Sequence, residues 1–211
     1  MRRGRPAPVV ARTLAAAPTA AAARRHLRSL ADPEAPRAAA WSFKTGPGEY
    51  GEGDRFRRAG RGERREIVRF YLGHTDHVNN WDLVDLSAPH ILGAWLLDRP
   101  RGGLTRLAGS RNLWERRIAV LATLAFIRQG QFDDTLRLAR RLSDDPHDLM
   151  HKAVGWMLRE VGKRDAAVLR GFLDAHGPRL PRTALRYAIE RLRPAERRRY
   201  LAMERPPRGS K

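Results

Sequence analysis

Beyond His77 the apolar residues recur every three or four positions, and no stretch alternates with the period of two that a half-buried strand shows. Asn79 and Asn80 can cap a helix from Trp81 to Leu86, and Pro89 can open another that reaches Leu97. Leu113, Ile118, Leu121, Leu124 and Ala125 mark one face of a longer helix that runs to Gln129, where Gly130 ends it. The pattern then predicts helices over Phe132 to Leu142, Asp148 to Val161 and Ala166 to Ala175. Ser143-Asp-Asp-Pro-His and His176-Gly-Pro are the turns between them. Pro181 opens a helix to about Arg191, and Pro194 opens a last one.

The N-terminal third reads differently. Met1 to Ala31 holds seven arginines and no acid in a background of Ala and Pro, which predicts a basic arm without fixed structure. Its Leu14–Ala23 stretch is broken by Pro18 and makes a poor secretory core, although an organellar transit peptide has the same composition. Asp32 to Phe43 reads as a short helix, and Lys44 to Asp54, with four glycines and a proline, reads as a loop. Arg55 to Arg65 adds six arginines and leads into an amphipathic helix over Glu66 to Gly73. The expected organisation is an arm (1–31), a helix and Gly-rich loop (32–56), a helical domain (57–203) and a basic tail (204–211). Helices of this length joined by short turns predict an all-α fold: a curved, HEAT-like antiparallel repeat solenoid, without a clean sequence repeat.

Charge narrows the class of partner. The 211 residues carry 42 Lys and Arg against 23 Asp and Glu, a formal net charge of +19, and all but four of the cations are arginine. A polyanion is the default partner, nucleic acid the commonest, and an anionic membrane surface the competitor. Cysteine is absent, which excludes disulfides, thiolate zinc sites and thiol nucleophiles. No apolar run is long enough to span a bilayer.

Three tryptophan-centred segments could carry chemistry. Trp81 and Asp85 lie four apart and share a helical face, where a ring and a carboxylate suit a cationic substrate. The same spacing equally fits a packed Trp with Asp85 paired to an arginine. Trp114 and Arg117, three apart, can sit together over a phosphate, or Arg117 can make an interhelical salt bridge. Lys152, Trp156 and Lys163 fall near one stripe, and Gly155 inside a good helix points to close approach by another helix or a ligand. His74/His77 and His147/His151 have metal-like spacing but lack the accompanying ligands of a zinc site. There is no phosphate-binding glycine loop and no nucleophile elbow, so no metal and no cofactor are expected.

Taken together, Val78-Asn-Asn-Trp-Asp-Leu-Val-Asp-Leu-Ser-Ala-Pro89, Asn112-Leu-Trp-Glu-Arg-Arg117 and Lys152-Ala-Val-Gly-Trp-Met-Leu-Arg-Glu-Val-Gly-Lys163 resemble the AlkD-type DNA alkylation-repair glycosylases. Phe43-Lys-Thr-Gly-Pro-Gly-Glu-Tyr-Gly51 and Pro181-Arg-Thr-Ala-Leu-Arg-Tyr-Ala-Ile-Glu190 extend the resemblance in the same order. It implies HEAT-like repeats that hold duplex DNA on a basic face and hydrolyse the N-glycosidic bond of N3- or N7-alkylated purines without flipping the base. By motif position, Asp85 would be the catalytic carboxylate, Trp81 its aromatic neighbour and Trp156 a second ring against the sugar. Arg117 would bind the DNA backbone near the site, with Trp114, Lys152, Arg159, Lys163, Arg182 and Arg186 completing the DNA-binding set. A monomer in the cytoplasm is expected.

The resemblance breaks at one point. The family has further helix pairs between its Gly-Glu-Gly-Asp-Arg-Phe block and its Val-Arg-Phe-Tyr-Leu helix. Here Phe56 leads through an arginine run directly to Ile67-Val-Arg-Phe-Tyr-Leu72, as if a repeat were missing. A non-catalytic nucleic-acid scaffold and a protein–protein adaptor are the alternatives. Basic surroundings with a single acidic point at Asp85 are expected of the enzyme, and Asp85 buried against Arg117 in a dry ion pair would sink the catalytic assignment.

Overall fold

The computed structural model describes Phe56 and residues 59–204. The expected arm, the helix over 32–43, the loop over 44–54 and the tail beyond Glu204 lie outside the described residues. The chain divides into two compact units, Met1–Asn79 and Asn80–Lys211.

In the first unit, helix α1 (Arg61–Leu72) begins inside the arginine run, several residues before the apolar pattern announces it. It buries Val68 and Tyr71, and the Arg64 guanidinium lies 5.5 Å from the centroid of the buried Phe56 ring. Gly73 closes the helix by donating its N–H to the Arg69 carbonyl, and a 3-10 turn follows over Thr75–His77.

Every regular element among the described residues of the second unit is a helix. Asn80 caps α2 (Trp81–Ser87) by accepting the Asp82 N–H at 3.0 Å, as expected of an Asn at that position. Pro89 does not start a separate helix. The backbone stays helical through Ala88 into a widened π turn (Pro89–Gly93) and the short α3 (Ala94–Leu96). Proline has no N–H to offer the carbonyl four residues back, here that of Asp85, and its ring crowds that position. The turn widens to an i→i−5 bond, with the Gly93 N–H donating to the Ala88 carbonyl at 2.8 Å.

Next come α4 (Gly102–Ala108), α5 (Leu113–Ile127), α6 (Asp133–Arg141), α7 (Asp148–Arg164), α8 (Ala166–His176), α9 (Arg182–Ala188) and α10 (Pro194–Ala202). Helix α4 is the element its residues do not advertise, because two poor helix formers, Gly102 and Gly103, begin it. Arg101 holds it in place. Its guanidinium donates to the Leu96 and Leu97 carbonyls and to Asp134 on α6, and lies 3.8 Å from the Phe126 ring centroid.

Sequence neighbours pack on one another, and so do alternate helices: the π turn on α5, α5 on α7, and α7 on α9. This two-layer pairing is the expected all-α helical repeat. Helix α5 is its centre, with every residue from Arg116 to Ile127 buried. Gly155 lies where α7 meets α9, and an added Cβ there would stand 2.5 Å from both the Ala184 carbonyl oxygen and the Tyr187 Cβ. The close approach inferred from that glycine is therefore made by a helix. Gly93 does the same for the π turn, crossing α5 against Ala122 and Ala125.

Gly155→Ala and Gly93→Ala should each lower unfolding free energy by about 1–3 kcal/mol, since a methyl group there meets backbone rather than a movable side chain. Gly171→Ala, at an exposed site inside α8 with open space around it, should instead stabilise by about 0.5–1 kcal/mol. Denaturant melts of the three variants check both signs.

Candidate active site

The layer of α2, α5, α7 and α9 carries most of the residues singled out by the sequence. Asp85 lies one turn along α2 from Trp81, whose ring is 50% exposed. From α5, Arg117 reaches across and holds the Asp85 carboxylate at both ends: Nε donates to Oδ1 and Nη2 to Oδ2, each at 2.8 Å. Its remaining arm, Nη1, donates to the Leu149 carbonyl on α7 at 2.5 Å. One guanidinium thus joins three helices.

Arg117 was expected to contact the DNA backbone, and the geometry corrects this. Its side chain is 5% exposed and its donors face Asp85 and Leu149, so it orients the carboxylate and presents nothing to a phosphate. The proposed pairing with Trp114 over a phosphate fails for the same reason. Trp114 sits half-buried in the first turn of α5, where its backbone N–H is held by Asn112 Oδ1 at 2.8 Å. Arg116, the neighbouring buried arginine, serves another contact: it bonds Asp145 and the Ser110 and Arg111 carbonyls, which secures the entry to α5.

The Asp85–Arg117 pair is not sealed from solvent. The Asp85 side chain keeps 13% of its surface, and a carboxylate has about four lone-pair directions, of which Arg117 takes two. Two lone-pair directions are left without a partner among the described residues. Burial pushes the Asp85 carboxyl above its usual range and outweighs the Arg117 hydrogen bonds and charge, with Asp82 on the same helix adding to the rise.

The remaining cations divide into three groups. Lys152, Lys163 and Arg159 are each matched with an acid: Lys152 with Asp148 at 2.8 Å, Lys163 with Glu160 at 2.7 Å, and Arg159 with Glu190. The surroundings therefore hold several carboxylates, not Asp85 alone. Trp156 belongs to this network, donating Nε1–H to Glu160 at 3.1 Å. Arg182, half-exposed, donates Nη1–H to the Leu201 carbonyl at 2.8 Å and so ties α9 to α10. Arg186 is exposed and makes no ion pair among the described residues. Two features escaped the sequence: the Leu149 carbonyl, a backbone group without a residue-type signal, and the widened turn behind Asp85. No group of three or more potential metal ligands occurs among the described residues.

Removing Arg117 leaves a largely buried carboxylate and the Leu149 carbonyl without their partner. Arg117→Ala should therefore cost about 3 kcal/mol of unfolding free energy, a stability loss that precedes any loss of binding. Lys152→Ala removes only an exposed pair and should melt close to the parent. Chemical melts of the two variants test this contrast.

No curated protein sequence matches the chain significantly. A family model described as "DNA alkylation repair enzyme" matches residues 53–192. That span covers every site residue discussed above and about two-thirds of the 211 residues. The chain belongs to this family of DNA alkylation repair enzymes.

Proposed function

We propose that the protein is a DNA glycosylase that releases N3- and N7-alkylated purines from duplex DNA, with Asp85 as the catalytic carboxylate. Membership in a DNA alkylation repair family supports DNA as the substrate class. The observation that carries the finer reading is a partly exposed carboxylate, oriented by a buried arginine, one helical turn from a half-exposed indole.

Alkylation at N3 or N7 leaves the purine cationic. The C1′–N bond can then break with its electron pair going to the base, which departs neutral and needs no acid to protonate it. The sugar left behind is oxocarbenium-like, and Asp85 offers its free oxygen edge to that charge and to the water that adds at C1′. The water's proton passes to solvent. Trp81 supplies an exposed ring face for the cationic sugar or base, and Trp156, half-buried on α7, is the second ring. Arg117 keeps the carboxylate from swinging away as charge develops, which is preorganisation through a neighbour rather than contact with the reacting atoms.

The same ion pair supports a second reading. On it, Asp85 is half of a strut between α2 and α5, on a helical scaffold that binds DNA without chemistry. Two measurements separate them.

Purified protein should release 7-methylguanine from methylated duplex DNA, and Asp85→Asn should lose at least about a hundredfold of that rate while still binding duplex. Release by the variant at the parental rate would leave the strut reading standing. Acidification should reduce enzyme-dependent release as Asp85 takes up a proton, with a midpoint above the ordinary Asp value of about 3.9, because burial raises this group. A flat profile through the acid range would remove Asp85 from the chemistry.

A further inference from the structure

Trp81 and Tyr187 are the large apolar side chains that stand exposed among the described residues, Tyr187 at 36%. The proposed site accounts for Trp81 and leaves Tyr187 unused. On α9, Tyr187 stands outside the buried set of Ala184, Leu185 and Ala188. Gly155 sets its position. At that crossing α9 lies so close to α7 that the Tyr187 Cβ stands where a side chain at 155 would project. The Tyr187 Cβ is thereby set against α7 about one turn from Lys152, and Lys152 lies within electrostatic reach of both Tyr187 and Arg117. The Tyr187 hydroxyl makes no hydrogen bond to any described residue.

An exposed tyrosine with a free hydroxyl suits a ligand that offers apolar surface and an anionic acceptor side by side. It has two torsions to order, a flat face for a sugar and one O–H donor. A nucleic-acid strand has that alternation, deoxyribose next to phosphate, and the +19 charge of the chain matches it in sign. We infer that Tyr187 is a positioning residue for the DNA strand: its hydroxyl donates to a backbone phosphate adjoining the one that Lys152 faces, and its ring lies against the sugar between them. The inference rests on the site being one that takes DNA, and is independent of whether base release occurs there.

Affinity for undamaged duplex tests it, with full-length protein and salt titrations for the parent, Tyr187→Phe, Tyr187→Ala and Lys152→Ala. Tyr187→Phe should melt with the parent and bind about tenfold more weakly, the size of effect expected for one hydrogen bond to a charged group. Its dependence of log K on log salt should be unchanged, because no cation is lost. Lys152→Ala should instead lower that slope by about 0.9, the share of one phosphate contact. Tyr187→Ala should weaken binding further by removing the ring. Parental affinity in Tyr187→Phe would overturn the inference, as would a fall in melting temperature that accounts for the weaker binding. If the parent binds duplex but releases no base, the glycosylase reading fails while the Tyr187 comparison still supports or overturns the inference. If the parent releases base and Tyr187→Phe binds like the parent, the inference alone fails.

Discussion

The bidentate contact between Arg117 and Asp85 is the interaction on which the second unit's functional layer depends. It crosses from α5 to α2, and the third arm of the same guanidinium fixes the start of α7 through Leu149. A buried arginine is tolerated only when its donors are met, and here a carboxylate and a carbonyl meet them. The arrangement restricts the carboxylate equally. With both oxygens held from one side, Asp85 has one free edge, and its direction is set by three helices at once. A structural strut and a preorganised catalytic group would look alike at this position, which is why chemistry and stability have to be measured separately.

The backbone around this pair is adapted to it. Pro89 lies four residues after Asp85, where a regular helix would need an N–H for the Asp85 carbonyl, and the π turn accommodates the difference. Gly93 at the end of that turn lets it press onto α5, which carries Arg117. Gly155 performs the same service between α7 and α9. The site layer is thus held together by two glycine crossings and one arginine, so two residues without side chains help determine how its side chains converge.

Charge has a more mixed role than the net value suggests. Several of the expected DNA contacts are already engaged within the protein. Arg117 is an internal fastener, Arg182 gives one arm to the Leu201 carbonyl, and Lys152, Lys163 and Arg159 are shared with carboxylates. Exposed pairs of the second kind contribute little to stability and can exchange their acid for a phosphate. A net charge of +19 therefore overstates the number of cations free to meet DNA.

Most of the described helices were legible from apolar periodicity and punctuation: Asn80 as a cap, Gly130 as a stop, Pro194 as a start. Gly155, a glycine where a helix should have none, disclosed a close crossing. The repeated Trp-and-charge segments disclosed the family. These are local signals, carried by residue type and spacing within a turn or two. Helix α4 was hidden because its stability comes from burial of Leu104 and Leu107 and from Arg101, while its own first residues oppose it. The fates of Arg117, Arg182 and Arg186 could not be read either, since an arginine three residues from a tryptophan looks the same whether it faces solvent or a carboxylate 32 positions away. Only the packing of one helix on another decides that, because burial makes an unmatched guanidinium costly and leaves an exposed one free to find a partner.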